Sequence, residues 1–346
     1  MISESNFKIL HEFPEPNLAE SWRDCLAHAE FPAHYDAPEF FLEPFWKTKR
    51  PFAVLAIERG LVNGVLTGCC DGNQVVSGLP VRPQICVADR ASGEATLDAL
   101  ARGLLQEAGS ASLVAVHTWS QTPLEAFSAR GFLRRSLEGN VVLDLSNGAQ
   151  EVFRQFTENR RRNIRLATKH NVEVFQASAR EDFSAFYEVF LSWRKTERKS
   201  IEGPQVPFET FEKAFSLRSN RRLFLARYSG KIIAGTTVRF FPKGLLEYAA
   251  NASLDEYLHI RPNDLLLWKT VEWGCQEGFP RYSLGGAHPF LRKSGGTVLP
   301  ICRYRADRTW NRRYDLREGI MDEGRKILHK LPAPFERRIR AVLGKN

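Results

Sequence analysis

The sequence lacks the long apolar runs and the leader pattern that mark membrane-spanning and exported chains. No segment approaches the roughly 18 apolar residues that a membrane-spanning helix needs, and the stretch MISESNFKILHEFPEP has no basic start followed by an apolar run. A cysteine framework is also missing, because the six cysteines are scattered and follow neither a metal-ligand nor a secreted-protein spacing. We therefore expect a cytoplasmic protein with reduced thiols and no metal site.

The charge is strongly positive. The 346 residues carry a formal net charge of +9, and the sequence pI is about 9.3. This balance favours a polyanionic partner such as RNA, a nucleotide-linked substrate or an anionic lipid surface, and it does not distinguish among them. The length is sufficient for two domains or for one large domain with a proper core.

The first half begins with a proline-interrupted extension, residues 1–50, for which we predict short helices and loops that pack on the first domain. From Pro51 the run FAVLAIERGLVNGVLTGCC predicts two strands joined at Arg59-Gly60, and a third strand, QVVSGLPV, follows. A helix capped by Ser92 and ended by Gly109 comes next, then the strand SLVAVH. The capping box at 122–125 opens a short helix, and NVVLDL closes this half.

The second half repeats this order. One helix is predicted over 150–170 and two aromatic-rich helices follow, before the meander returns in LFLARYSGKIIAGTTVRFF. The segments LAIERGLVNG and LARYSGKIIAG share residues, which favours an internal duplication into domains at 51–148 and 149–310, with a basic helical tail at 311–346. Two unrelated α/β lobes are the alternative.

The chain is organised around residues 261–286, RPNDLLLWKTVEWGCQEGFPRYSLGG. The pattern predicts a turn, a helix and a strand that ends in paired glycines. Asn263 or Asp264 is the expected cap of the helix, and Gly278 is its expected stop. Such a helix would lie on a sheet with its N-terminus open to a ligand.

This order of elements, together with the segment EAFSARGFLRRS, resembles the GNAT acyltransferase fold. The tandem repeat, with RRRNIRLATKHNVEV between the units, resembles the FemABX and BioF2-like group, to which the CelD-type acetyltransferases belong. The resemblance implies an α/β (α+β) fold of two tandem GNAT-like domains, each a mixed, mostly antiparallel sheet with flanking helices. It also implies transfer of an acyl or aminoacyl group to an amine or hydroxyl, often on an envelope or polysaccharide precursor.

The resemblance also implies a coenzyme A site, because GNAT proteins bind the pyrophosphate on backbone amides after a glycine-rich turn. The matching residues are Arg90, Gly93 and Ala95, at the start of the first predicted helix. Acyl-CoA is the co-substrate expected there. An ordinary capped helix start is the alternative, since Glu94 would repel phosphate.

The equivalent turn in the second half suits an amine better than a phosphate. Arg261, Asn263 and Asp264 are therefore predicted to bind the acceptor or an aminoacyl group. Peptidoglycan-bridge enzymes of the group commonly have a phenylalanine-lysine run where this chain has PFLRKSGG, so Arg292 or Lys293 would take over that role. This departure counts against transfer from tRNA.

The residues predicted to perform catalysis are Tyr248, His288 and Lys293. Acyl transfer needs a base for the attacking amine and donors for the oxyanion. His288 and Lys293 lie between two glycine pairs, which makes their loop a candidate lid. One alternative is that His288 is a surface histidine. Tyr248 and its neighbour Glu247 alternate on one strand, so only one of them can face the cleft, and a core position is the alternative for Tyr248.

The remaining basic residues have two interpretations each. Arg303 and Arg305 would bind a substrate phosphate or carboxylate, or form a basic edge strand. The run Arg160 to Lys169 would contact tRNA, or be a solvated helix face. The basic tail would lie on the inner membrane face, or pack back on the domain. DNA is not an expected partner.

We therefore predict a cytoplasmic acyltransferase that uses acyl-CoA or an activated aminoacyl donor on an amine or hydroxyl of a small or envelope precursor. The alternatives are an aminoacyl-tRNA-dependent transferase acting on a peptidoglycan precursor, and a catalytically degenerate protein that only binds such a precursor.

Overall fold

The alternating strand and helix patterns of the sequence become strands and helices of similar bounds in the computed structural model, which describes residues 6–46, 49–91, 93–119, 125–195, 206–216 and 220–330. The strands are β1 (Asn6–Leu10), β2 (Arg50–Glu58), β3 (Leu61–Asp71), β4 (Gln74–Ser77), β5 (Ile85–Val87), β6 (Leu113–Trp119), β7 (Leu133–Asp144), β8 (Glu173–Gln176), β9 (Arg221–Tyr228), β10 (Lys231–Phe240), β11 (Leu245–Ser253), β12 (Arg281–Ser283) and β13 (Thr297–Asp307). The α-helices are α1 (Pro16–Ala27), α2 (Gly93–Ala108), α3 (Glu125–Ser128), α4 (Ala149–Gln155), α5 (Glu158–Lys169), α6 (Arg180–Arg194), α7 (Phe208–Ser216), α8 (Pro262–Gln276), α9 (Pro289–Arg292) and α10 (Arg313–Lys330). Single 3-10 turns cover His34–Asp36, Pro38–Leu42 and Asp255–Ile260.

Thirteen strands in the described part of the chain form one sheet, in the order β1-β2-β3-β4-β6-β13-β7-β12-β11-β10-β9-β8, with β5 paired to β3. Its pairs are antiparallel except β4 with β6 and β11 with β12, one parallel pair in each half. The hairpins at Arg59-Gly60 and Ser229-Gly230 both use two residues with positive φ, which matches the twist of the flanking strands. The predicted repeat of element order is therefore present.

The two halves exchange their last strands. Strand β13, from the second half, lies between β6 and β7, while β7, from the first half, pairs with β12. The strand predicted at NVVLDL is present as the end of β7, the last strand of the first half. Its residues Val141 and Leu143 belong to the core under α8, in the second half. Gly139, at φ +90°, permits the close crossing, because a Cβ there would lie 2.1 Å from the carbonyl oxygen of Leu299. The boundary between the two domains at residue 148 remains a prediction that refers to the repeat in the sequence.

Helix α8 confirms the central prediction in its bounds and its stop, since Gly278 has φ +75°. The predicted caps are wrong. The residue before the helix is Arg261, in the left-handed conformation, Pro262 takes the first helical position, and no side chain caps the helix. Asp264 lies inside the first turn and is bound elsewhere, as described below.

The single helix predicted over 150–170 is two helices, α4 and α5. The break comes at Thr157, whose side chain accepts a hydrogen bond from the Arg160 amide at 3.4 Å. The Thr157 amide donates to the Lys293 carbonyl at 2.9 Å. A contact distant in the sequence thus fixes a helix boundary that periodicity alone did not show.

The N-terminal extension contains an edge strand, β1, which was not predicted, and it contacts both halves. Trp22 of α1 is fully buried in a core cluster with strands of the first half. Further along, the Pro32 carbonyl accepts a hydrogen bond from the Leu245 amide of the second half at 2.8 Å. The extension therefore brings residues 34–46 to the junction of the two halves.

The last described helix, α10, packs back on β13 through ion pairs discussed below. Trp310, just before it, is 95% exposed. None of the described helices combines the length and apolar content needed to cross a bilayer. Ser92, residues 122–124 of the capping box and residues 331–346 of the tail lie outside the described residues.

Candidate active site

The central gap in the sheet opens where β11 and β12 diverge. Their pairing runs from Leu245 with Arg281 to Glu247 with Ser283 and then ends. Just beyond, Thr237 of β10 opposes Ala250 while Val238 opposes Tyr248, so that Ala249 is a bulge in β11. The chain after β12 turns away through Gly285 and Gly286, both with positive φ. Bulges of this kind are common beside active sites because they re-aim side chains.

Adjacent residues on β11 serve opposite faces of the sheet. Tyr248 packs with the core cluster of α8, and we call this side the α8 face. Arg239 of β10 opposes Glu247 in the register and lies on the other side, which packs on Phe186 of α6 and which we call the α6 face. The two faces hold different groups of charged residues.

On the α8 face a buried ion pair joins Arg160 to Asp264. Arg160 is 0% exposed, and its Nε lies 3.2 Å from Asp264 Oδ1. Its other nitrogens donate to Ser294 Oγ at 2.5 Å and to the Phe290 carbonyl at 2.6 Å, and its guanidinium lies 4.3 Å from the centroid of the Phe290 ring. Asn163 donates to Asp264 Oδ2 at 3.1 Å.

The charges of this pair balance. Burial raises the pKa of Asp264 and lowers that of Arg160, and each partner opposes the shift of the other. The expectation that Arg160 belongs to a solvated basic run is wrong, because it ties α5 to α8 and to the loop after β12. Arg162, Arg165 and Lys169 of the same run are exposed.

Three predicted site residues, Tyr248, Asp264 and Lys293, lie close together on the α8 face. Tyr248 and Lys293 lie within electrostatic range of the Arg160–Asp264 pair, and burial raises the pKa of Tyr248 to about 12. Nearby, Asn263 donates to Ser253 Oγ at 3.1 Å, and Arg261 is exposed at the helix start.

Two predicted residues of the loop after β12 point outward. His288 is exposed and stacks on the Phe290 ring with centroids 6.3 Å apart. The exposed Arg292 forms an ion pair with Glu138 at 2.9 Å. The structure thus separates the loop's basic residues, with Lys293 inward and these two outward.

The predicted coenzyme A residues lie in the first half, beside α1. Arg90 Nη2 is 2.6 Å from Asp24 Oδ2, an ion pair with the N-terminal extension. Gly93 and Glu94 are exposed, Ala95 is half-buried, and no heavy atom lies within 4 Å of a Cβ built at Gly93. The helix start is open, but its nearest arginine already has a carboxylate partner.

The predicted substrate arginines of β13 bind α10 instead of a cleft. Arg303 Nη2 lies 2.6 Å from Glu318 Oε2, and Arg305 Nη2 lies 2.7 Å from the same oxygen and also pairs with Asp315. These residues pair in register with β6 and β7 of the first half. Their positive charge is therefore matched by the tail helix.

On the α6 face lies a cluster of which only Glu247, the strand neighbour of Tyr248, was a candidate from the sequence. The ring of Tyr35, from the N-terminal extension, is stacked between Arg82 and Arg239, each guanidinium lying 4.7 Å from the ring centroid. Arg82 Nε lies 3.9 Å from Glu247 Oε1. Glu247 is 6% exposed, and its Oε2 has no hydrogen-bond partner among the described residues.

A second group continues this cluster. Glu43 accepts two hydrogen bonds from Arg221 Nη2, at 2.8 and 3.0 Å, and one from His34 Nε2 at 2.6 Å. Burial opposes the charge of Glu43, but these donors lower its pKa to about 2. Burial lowers the pKa of His34, which leaves it neutral near pH 7. Burial raises the pKa of Asp36 to about 8, so this neighbour of Glu247 is also largely neutral.

The charges of the α6 face do not balance. Three guanidinium groups, of Arg82, Arg221 and Arg239, are matched by the two carboxylates of Glu43 and Glu247. One positive charge is in excess. The signal that could have found this cluster is Arg239 itself, the one charged residue in the segment IIAGTTVRFF.

A cavity of about 200 Å³ opens beside this excess charge. It is lined by Tyr35, Phe45, Phe186, Tyr187, Phe190, Val206, Phe211, Ala214, Phe215, Arg221, Thr237, Arg239, Ala249, Ala250 and Asn251. Within the described residues this lining contains two arginines and no acidic side chain. The bulge residue Ala249 is part of this lining.

A family model described as an acetyltransferase (GNAT) domain matches residues 154–291, which include β9 to β12, α8, Arg239, Glu247 and Asp264. This segment of the chain is therefore similar to a GNAT acetyltransferase domain. The predicted acyltransferase class and the predicted fold class are both confirmed.

Several solved structures share the fold over most of their length. The crystal structure of FemX is 13% identical, with a TM-score of 0.65 over 85% of this chain and 96% of that chain. The C-terminal domain of a putative lysylphosphatidylglycerol synthetase from Agrobacterium fabrum is 14% identical, with a TM-score of 0.58 over 89% and 96%. A tandem GNAT protein from the clavulanic acid biosynthesis pathway is 14% identical, with a TM-score of 0.55 over 88% and 99%. Among curated proteins, none matches.

Proposed function

We propose that this GNAT protein transfers an acyl group to an amine at the gap between β11 and β12, with Glu247 as the general base. The observation that carries the proposal is the position of Glu247. It occupies the last paired position before the strands diverge, is buried, and keeps one carboxylate oxygen without a hydrogen-bond partner among the described residues. A base needs such a free oxygen within reach of the proton that it removes.

The proposed reaction is aminolysis of an acyl thioester. The amine nitrogen attacks the carbonyl carbon, a C–N bond forms and the C–S bond breaks. The amine proton passes to Glu247 Oε2. Glu247 then gives up this proton, the departing thiolate takes one up to become the free thiol, and the base returns to its carboxylate form. Backbone amides freed at the Ala249 bulge are suited to hydrogen-bond the oxyanion, because the bulge interrupts the ladder between β10 and β11.

The donor site has two candidates, one at each main helix start. The α8 start lies in the matched GNAT segment, its Asp264 charge is compensated by Arg160, and Arg261 is exposed beside it. The α2 start has open space at Gly93, with Arg90 bound to Asp24. If the pyrophosphate of acyl-CoA binds at α8, Arg261→Ala lowers the stabilisation by acyl-CoA and Arg90→Ala does not.

An activated aminoacyl donor is the second candidate, because one structural neighbour is described as a putative lysylphosphatidylglycerol synthetase domain. Three cations of the α5 run, Arg162, Arg165 and Lys169, remain exposed to contact a tRNA backbone. Envelope precursors stay the proposed acceptor class under this alternative. The exposed Trp310 and the α10 helix would then serve for contact with the inner membrane surface.

The test is release of free thiol from acetyl-CoA and longer acyl-CoAs with a panel of amines. We expect Glu247→Gln to lower kcat/KM by about 10²-fold or more, because a general base contributes about 10² to 10⁴. The matched control is Glu256→Gln, since Glu256 is an exposed glutamate paired with Lys231 on the surface. Equal rates for Glu247→Gln and the control, with both variants folded, would refute the assignment of the base.

A further inference from the structure

The α6-face cavity combines one buried cationic residue with an apolar wall. Arg239 is 6% exposed, lines the cavity, and its Nε has no hydrogen-bond partner among the described residues. An anion that enters the cavity would supply a hydrogen-bond acceptor for this buried donor. The excess of one positive charge on the α6 face therefore matches a ligand with one negative charge.

The wall indicates what accompanies that charge. Five phenylalanines contribute to it: Phe45, Phe186, Phe190, Phe211 and Phe215. Phe186 lies buried against the sheet, whereas Phe45 is 39% exposed at the outer side. The volume of about 200 Å³ is below the roughly 300–1,000 Å³ of drug-sized sites. The cavity thus suits a small molecule with an apolar or aromatic body.

The position of Glu247 indicates where the reacting amine would lie. Glu247 and Arg239 are direct register partners on β11 and β10, so their Cβ atoms are about 4.5–5.5 Å apart on one face. In an α-amino acid the amine and the carboxylate share one carbon atom. A carboxylate held by Arg239 therefore brings the amine beside the carboxylate of Glu247.

We propose that the α6-face cavity binds an apolar or aromatic α-amino acid by its carboxylate, as the acceptor of the acyl group. The acceptor role rests on the proposed function. The amino acid nitrogen forms the new C–N bond, its proton passes to Glu247, and the product is an N-acyl amino acid that retains the carboxylate at Arg239.

The first experiment compares two ligands that differ only at the carboxylate. L-Phenylalanine and L-phenylalaninamide share the ring and the amine, and binding to the native protein is measured by calorimetry and by the thermal midpoint. We expect L-phenylalanine to bind at least tenfold more tightly. Equal binding, tighter binding of the amide, or no binding of either compound would overturn the proposal.

The second experiment tests whether Arg239 is the residue that binds the carboxylate of the ligand. Arg239→Met removes the guanidinium and keeps an apolar side chain, and we expect it to abolish the tenfold preference for L-phenylalanine over the amide. The matched control is Arg227→Met, because Arg227 lies exposed on the neighbouring strand and pairs with Glu173. If the preference survives in Arg239→Met, another group reads the carboxylate and the proposal is wrong.

Two further results distinguish the proposed amino acid site from the proposed acyl-transfer reaction. Binding of L-phenylalanine without thiol release from any acyl-CoA would refute the acyl transfer and leave the binding site in place. A second set of results would refute the amino acid site and assign the cavity to the donor's acyl chain. In that case thiol is released with other amines, stabilisation by acyl-CoA grows with acyl-chain length, and no amino acid is displaced. If Arg239→Met does not fold, the ligand pair measured on the unaltered protein still decides.

Discussion

Arg160 and Arg239 are both buried guanidinium groups, on opposite faces of the same pair of strands. Arg160 contacts one carboxylate, one hydroxyl, one backbone carbonyl and one aromatic ring, and its charge is matched by Asp264. Arg239 stacks on Tyr35 in a cluster that holds three guanidinium groups and two carboxylates, and it borders a cavity. Burial of charge is common to both, so burial alone does not mark a functional site.

Arg160 and Arg239 differ in how fully nearby carboxylates match the positive charge around them. A buried ion pair whose two charges match holds elements together, and here it joins α5, α8 and the loop after β12. A cluster with one more cation than carboxylates, beside a cavity, gains a matching charge when an anionic ligand binds. We therefore infer a structural role for Arg160 and a binding role for Arg239. Substitutions at these residues and their neighbours test this difference.

The largest change in stability is expected for Arg160→Met. It leaves the Asp264 carboxylate buried without its cation, which costs about 3–5 kcal/mol. Urea unfolding of the purified protein measures the loss. The control is Arg162→Met on the same helix, whose side chain is exposed and whose replacement should stay within about 0.5 kcal/mol.

The double variant Arg160→Met/Asp264→Leu sharpens this prediction. It removes both charges, so we expect it to recover most of the lost stability. A loss below about 1 kcal/mol for Arg160→Met alone, or no recovery in the double variant, would show that the pair does not hold the α8 face together.

An intermediate effect is expected for Asp36→Asn. Burial, opposed by the hydrogen bond from the Ala33 amide, raises the pKa of Asp36 to about 8, whereas an unfolded aspartate titrates near 3.9. The folded protein therefore holds this proton more tightly, and stability falls as pH rises between about 4 and 8, by up to about 1.4 kcal/mol per pH unit.

The side-chain amide of the Asp36→Asn variant carries no titrating proton, so unfolding measured at several pH values should show a flatter slope in this window. The exposed Asp89→Asn is the control and should keep the slope of the unaltered protein. An unchanged slope in Asp36→Asn would mean that Asp36 is ionised in the folded protein and that the α6 face carries no excess charge.

The smallest change in stability is expected for Arg239→Met. It leaves two guanidinium groups for two carboxylates, so no charge loses its partner, and the loss should be about 1 kcal/mol or less. Urea unfolding measures it beside Arg160→Met. A loss as large as that of Arg160→Met would remove the distinction between the two faces.

Much of the fold could be predicted from local patterns. Turn residues at Arg59-Gly60 and Ser229-Gly230 mark the hairpins, and the apolar spacing of α8 together with Gly278 marks the central helix. The site was harder to predict, because its residues come from distant segments: Tyr35, Arg82, Arg239 and Glu247 share no motif. Asp264 was predicted to bind a ligand because no local pattern shows its partner. That partner, Arg160, lies 104 positions away (264 − 160) on another helix.

By itself, the sequence determined the order of strands and helices, their turns and stops, and the twofold repeat, since these depend on residues close together in the chain. Only the tertiary structure decided that β7 and β13 change places and that Thr157 divides a helix. It also decided that Asp264 matches the charge of Arg160, while Arg239 lies in a cluster with one more guanidinium group than carboxylates. The physical reason is that charge balance and strand pairing depend on neighbours in space. A residue type shows which interaction it can make, and the fold determines whether a partner is there.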